Sequence, residues 1–279
     1  MEFQGKIVVV TGAAAGIGQA LAREYAHQGA RVVLADINLA PQESTVVELR
    51  RSGLEAYAYE VDVSSDEQVT EFAASVLRDV GVPWVIHNNA AITWSGSIVD
   101  IEIEDLRQQI DVNVFGYLRV TNAFLPSMID RGSGQIAITA SPNGINPPPM
   151  VAANLAAYCL SKAANVSMAQ CLAVTLKPLG IAVSLLFPDL TNTHQGRQFT
   201  GKASTEFHQM LAHIMSNATA ADNVAKRLIE GIKVGKFFVN AMPGYEAALL
   251  EWAKNELDPH RDWVGENTPR LMKSRLGQV

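Results

Sequence analysis

Two hydrophobic rhythms alternate along this chain. Short runs rich in β-branched residues stand at 6–11, 31–36, 56–61, 84–88, 135–139 and 182–187, and 236–240 reads as a seventh. Between them lie stretches whose apolar positions recur three and four residues apart: 17–28, 41–52, 66–80, 103–130 and 154–177. Near-continuous Val, Ile and Leu in the short runs predicts strands buried on both faces. Alternation of such strands with helices through short links predicts a doubly wound parallel sheet of about seven strands, helices on both faces. The expected class is α/β, with one domain over 1–243 and a C-terminal extension over 244–279 that begins as a helix at 246–256. Two stretches escape the rhythm. Residues 142–153 carry three consecutive prolines, and 190–217 have weak periodicity; both are expected to be functional loops.

The link after the first strand reads Thr11-Gly12-Ala13-Ala14-Ala15-Gly16-Ile17-Gly18. Glycines between a strand and a helix let the backbone turn tightly and approach a pyrophosphate, whose charge the helix N-terminus stabilises. The competing explanation is a turn that needs glycine only for close helix–sheet packing. Asp36 ends the second strand, where a carboxylate can accept hydrogen bonds from the ribose 2′- and 3′-hydroxyls of a dinucleotide. It would repel a 2′-phosphate, and neither Ala15 nor Ile37 is basic, so NAD is expected over NADP. Ala15 and Ile17 complete the expected phosphate cradle with Gly12, Gly16 and Gly18.

Further on come Asp62-Val63, Asn88-Asn89-Ala90-Ala91, Asn113 in Asp-Val-Asn-Val-Phe-Gly, Ser141 after a strand, and Tyr158-Cys159-Leu160-Ser161-Lys162. With the glycine turn, this ordered set resembles the short-chain dehydrogenase/reductases over about 6–193, and more weakly through Asn240. The resemblance implies a Rossmann fold and an NAD-dependent interconversion of a secondary alcohol and a ketone. It implies that Asp62 and Val63 lie at the adenine, that Asn89, Ala90, Pro188 and Thr193 also line the cofactor, and that Asn113 bends its helix and supports a water leading to Lys162. A homodimer or homotetramer through the helices at 103–130 and 154–177 is implied as well.

The chemistry of the residues is consistent with this. Tyr158 and Lys162 are four apart on a helix and share a face. A phenol ordinarily ionises near pH 10 and is a poor base at neutral pH; an adjacent ammonium favours the phenolate. Tyr158 is therefore the expected general acid/base, Lys162 its charged neighbour and a hold on the nicotinamide ribose, and Ser141 the hydrogen-bond donor to the reacting oxygen. A non-catalytic NAD-binding regulator would typically lack the tyrosine or the lysine. An extended-branch epimerase or dehydratase would usually space its first two glycines by two residues.

Three departures from the family pattern stand out. Ala91 replaces a glycine. Asp189 follows Pro188 where glycine is usual, and could bind solvent, cap the next turn or meet a polar substrate group. Ser141 and Tyr158 are seventeen apart, the surplus falling in Pro147-Pro148-Pro149-Met150. Trp94, Ile145, Met150, Val151, Leu190, Phe199 and Phe207 are candidate pocket residues, largely apolar, so an apolar alcohol or ketone is expected. Arg197 and Lys202 are the available cations.

Composition narrows the alternatives. At 48% apolar and 18% charged the chain has ample core material, and a net charge of −6 with pI near 5.5 excludes a phosphate-backbone binder. Cys159 and Cys171 would lie roughly 18 Å apart on one helix and cannot bridge. The histidines, His194 and His208 among them, show no metal-ligand spacing. No apolar run approaches the roughly 20 residues of a membrane helix, and no signal segment precedes the first strand, so a cytoplasmic location is expected. The tail, with Trp252 and Trp263, could cover a neighbouring subunit, the active site or its own core.

Overall fold

Val8 and Val10 of the first strand face one way, Ile7 and Val9 the other, and all four are buried. A strand hidden on both sides needs a layer on each. In the computed structural model, which describes residues 3–193, 200–216 and 218–258, that is the architecture. The sheet strands are β1 (Ile7–Thr11), β2 (Arg31–Asp36), β3 (Ala56–Glu60), β4 (Val85–Asn88), β5 (Gly134–Thr139), β6 (Ile181–Phe187) and β7 (Phe238–Asn240). Their order is β3-β2-β1-β4-β5-β6-β7, and every neighbouring pair is parallel.

One face carries α1 (Gly16–His27), α2 (Leu39–Arg51) and α9 (Ala221–Lys233), whose Leu21, Tyr25, Leu49, Leu228 and Ile232 pack on Val8, Val10, Val32 and Leu34. The other carries α3 (Asp66–Asp79), α5 (Gly116–Arg131) and α7 (Ala156–Leu176). There Phe72, Val76, Val120, Phe124 and Ala169 cover Val9, Val33, Ile86 and Ile138. The strand order reverses between β1 and β4, so the crevice at their carboxyl ends is where this topology receives ligands.

The expected helix at 103–130 is continuous but irregular. It runs as α4 (Ile103–Ile110), one π turn (Asp111–Phe115) and α5. The expected loop at 142–153 is instead mostly helical, a 3-10 turn at Pro142–Gly144 followed by α6 (Pro149–Asn154). Pro149 opens α6 at a position whose N–H has no intrahelical partner, so the prolines start a helix here rather than prevent one. The long helix starts at Ala156, two residues later than expected. Leu155 leaves helical geometry because Asn154 O accepts the Gly96 N–H at 2.7 Å.

Residues 190–217 also hold more structure than a loop: α8 (Thr205–Ser216) and the two-residue strands Thr191–Asn192 and Thr200–Gly201. Helix α9 lies where the sequence reading assigned no element. The tail helix is α10 (Tyr245–Lys254), one residue earlier than expected at its start and two at its end. Tyr245 and Ala248 are buried in the same core as β6 and β7, so α10 covers its own subunit.

Candidate active site

The glycine turn lies at the reversal point, and packing alone demands all three glycines. Gly12 and Gly16 have φ of +67° and +57°. A Cβ on Gly12 would stand 2.7 Å from Ala90 Cα, one on Gly16 2.8 Å from Thr193 Cγ2, and one on Gly18 2.1 Å from Gly12 O. The packing explanation is thus true of this turn, and it does not exclude a ligand. At Ala15, which precedes α1, no side chain caps the helix, and the first turn has no acidic residue, whereas α3 is capped by Ser65 Oγ. Uncapped N–H groups of Gly16, Ile17 and Gly18 fit a dinucleotide's pyrophosphate.

Asp36 is joined to the turn: its Oδ2 accepts the Ala14 N–H at 3.1 Å and its Oδ1 the Asn38 N–H at 2.9 Å. Asn89 donates from Nδ2 to Thr11 O at 3.1 Å, while Thr11 Oγ1 accepts the Asn89 and Ala90 N–H groups. Asp62 Oδ1 accepts the Ser64 N–H and turns the chain into α3; Val63 packs on Gly116, where a Cβ would meet it at 2.8 Å.

Tyr158, Ser161, Lys162 and Asn165 form a buried polar stripe on α7 at helical spacing. Lys162 Nζ is 5.8 Å from the Tyr158 ring centroid and 5.6 Å from that of Tyr117, and donates to Thr139 O at 2.8 Å. The π turn faces this stripe. Asn113, fully buried, accepts the Ile92 N–H at 2.9 Å and donates to Ile92 O at 3.0 Å and Ser161 Oγ at 3.1 Å. Asn165 Nδ2 donates to Asn113 O at 2.9 Å. Ser161 Oγ in turn donates to Tyr158 O at 2.8 Å. Gln109 donates to Ser161 at 3.5 Å and accepts the Trp94 N–H at 2.7 Å.

Sequence reasoning missed Ser161, Asn165 and Gln109. The signal was available, since 161 and 165 continue the face of 158 and 162, and 109 lies four before 113.

Ser141 is extended at the end of β5, and its Oγ accepts the Asn143 N–H at 3.2 Å, which leaves the hydroxyl proton for another acceptor. Gly144 lets this turn lie on α7: a Cβ there would stand 2.5 Å from Lys162 C and O. It too went unnamed from sequence. Phe207 of α8 is buried against Leu155 and Tyr158, with Val151 and Leu211 beside them. Pro188 follows directly on β6. Lys202 is exposed and pairs with Glu102 at 3.5 Å. His208 is exposed. His194, Arg197, Phe199 and Trp263 lie outside the described residues.

The comparisons decide what this arrangement belongs to. The model of the family described as short chain dehydrogenase matches residues 6–203. The chain is a member of the short-chain dehydrogenase family. Membership makes it an oxidoreductase that works with a nicotinamide cofactor and a small-molecule substrate. Among its relatives is the human 17-beta-hydroxysteroid dehydrogenase 13, 34% identical over 253 residues, 90% of this chain and 79% of that one. Among solved structures, a short chain dehydrogenase/reductase from Burkholderia phymatum in complex with NAD superposes with a TM-score of 0.83 at 28% identity, over 94% of this chain and 98% of that one. A metagenomic short-chain oxidoreductase in complex with NADP superposes at 0.69 and 26% identity, over 87% and 98%.

Two titratable groups near the dehydrogenase site are set by burial. Cys159, beside Tyr158, is pushed up to about 12, so it stays a thiol and is no nucleophile. His87 in β4 is lowered to about 3 and stays neutral, between Tyr25 Oη at 3.4 Å and Thr139 Oγ1 at 3.2 Å. Among the described residues no cluster of three metal-ligating side chains exists, and no helix is long and apolar enough to cross a membrane. Cys159 and Cys171 are both free.

Proposed function

We propose that this short-chain dehydrogenase uses NAD to interconvert a secondary alcohol and a ketone, with Tyr158 as the general acid/base. The observation that carries the reading is the buried stripe on α7, where Lys162 lies 5.8 Å from the Tyr158 ring. The nicotinamide supplies the hydride acceptor or donor. Tyr158 takes the alcohol proton onto its Oη in oxidation and returns it to the alkoxide oxygen in reduction. Lys162 holds positive charge beside that phenol and would hold the cofactor's ribose, while Ser141 would donate to the reacting oxygen. Asn113 anchors the π turn against Ser161 and so holds the stripe in register. The cofactor would lie along Gly12, Ala15, Gly16, Ile17, Gly18 and Asp36, with Asp62, Val63, Asn89 and Ala90 at its adenosine side and Pro188 and Thr193 at its nicotinamide.

Preference for NAD follows from the Asp36 carboxylate, fixed between the glycine turn and Asn38 with no ion pair to it among the described residues. Apolar cover over Tyr158, from Leu155, Phe207, Val151 and Leu211, supports a medium or large apolar substrate, cyclic or steroid-like. The hydroxysteroid relative agrees with that class. Exposed Ile103 and Phe115 border an open depression of about 760 Å³ along α4, which supports a homodimer or homotetramer through this face. Free cysteines are in keeping with a cytoplasmic location.

Tyr158→Phe is expected to keep NADH binding, read by fluorescence titration, and to lower turnover of cyclic ketones about 10²–10⁴-fold at 340 nm. Undiminished turnover would remove Tyr158 from the mechanism. A substrate panel preferring small charged hydroxy acids would remove the apolar class.

A further inference from the structure

We propose that Asp189 is a positioning residue, whose buried carboxylate clasps residues 189–193 to the strand at Thr219 and so seats Thr193 against the glycine turn. Its side chain has 0% exposure. Burying a carboxylate is costly unless its oxygens are hydrogen-bonded, and both are. Oδ1 accepts the Leu190 N–H at 2.8 Å and Oδ2 accepts the Thr219 hydroxyl at 2.7 Å, with Arg227 Nη1 4.0 Å away.

The Leu190 bond is local and would satisfy a turn cap. The Thr219 bond crosses thirty residues of chain, which a cap does not require. The backbone makes the same crossing. Thr191–Asn192 pairs in parallel with Thr219–Ala220, the Thr219 N–H donates to Leu190 O at 2.9 Å, and Thr191 Oγ1 donates to Asp189 O at 2.6 Å. Thr193 follows directly on this short ribbon, and its Cγ2 fills the space a Gly16 Cβ would need. Asp189 thus ties the end of β6 to the start of α9 and sets how closely Thr193 approaches the cleft.

The inference rests on the dinucleotide reading of that cleft. A wall held in place before the ligand arrives spares the ligand the work of ordering it. If the wall is competent only part of the time, apparent affinity falls by that fraction. Asp189 touches no reacting atom in this account; its effect is on cofactor affinity.

The test uses the full chain, NADH as the probe, and Asp189→Asn, Thr219→Val and the double variant. Fluorescence titration is expected to show each single variant raising the NADH Kd about five- to tenfold, because each cuts one bond of the clasp to a charged group. The double should be no weaker than the weaker single, since both cut the same bond. In steady state, cofactor KM should rise while kcat changes less than about twofold. Should Asp189→Asn fail to fold, Thr219→Val carries the measurement, because it removes only a hydroxyl at a half-buried site. A lowered melting temperature with unchanged Kd in the variants would make the clasp merely structural and overturn the proposal. Wild type that binds neither NADH nor NADPH would overturn the dinucleotide reading, and the proposal with it.

Discussion

At the scale of the residue, the electrostatics of two buried or half-buried groups make separate demands. Asp36 offers a fixed negative charge beside the glycine turn, and Ile37 next to it is 58% exposed with nothing basic in its place. Asp36→Asn combined with Ile37→Arg is expected to shift the NADH-to-NADPH affinity ratio by about tenfold or more toward NADPH, by titration, as a like-charge repulsion is removed and a cation added. His87 bears on stability. Its folded pKa of about 3 lies below the ordinary 6.5, so the unfolded chain takes up the proton first. Stability from this group is complete above pH 6.5 and is lost as pH falls towards about 3, at about 1.4 kcal/mol per pH unit. Urea unfolding of His87→Gln between pH 7 and 5 should therefore fall less steeply than wild type, by about 2 kcal/mol over that range; parallel curves would refute it. The residues legible in the sequence were those whose type announces chemistry, such as Tyr158, Lys162 and Asp36. Ser161, Asn165 and Gly144 stayed hidden because their work is to join backbone segments distant in sequence.

At the scale of the element, hydrophobic period located every strand of the sheet to within two residues, most firmly the central ones, whose burial on both faces leaves little choice of composition. It failed where long-range bonds override local preference. Asn154 and Leu155 break a helix to pair with Gly96, and the proline run at 147–149 starts a helix instead of a loop. Asp189, open to three readings from sequence, is settled as to its partners only by a strand thirty residues on. Helix α10 shows what an extension can contribute. Tyr245 is fully buried, edge-on to Phe187 with centroids 5.5 Å apart, and donates to Asn146 Oδ1 at 2.7 Å in the turn that follows Ser141. Tyr245→Ala is expected to cost about 3–5 kcal/mol in urea unfolding, through the cavity and the lost donor to a buried amide. A cost below 1 kcal/mol would mean that α10 is peripheral.

At the scale of the whole molecule, the carboxyl ends of β1, β4, β5 and β6 bring Gly12, Asn89, Ser141 and Pro188 to one edge of the sheet, where strand order reverses. This much follows from alternation alone. What alternation leaves open is whether copies of the chain associate. Light scattering is expected to give a multiple of the 30.1 kDa chain, and Phe115→Glu, at a position 50% exposed on the α4–α5 face, should shift it towards one chain; a monomeric wild type would dismiss that interface. The π turn at Asp111–Phe115 links these concerns. It is in effect one surplus residue inside a helix, and removing any single residue from it would let the segment relax to ordinary α geometry. A π turn winds more loosely than an α turn, so its five residues cover about the rotation and rise that four cover in an α-helix, and α5 would keep nearly its present phase on α4. Phe124 and Val120 would stay in the core, and what shortening would remove is the bulge that brings Asn113 onto Ile92 and Ser161, so the sheet should survive such a deletion while the junction with α7 should not.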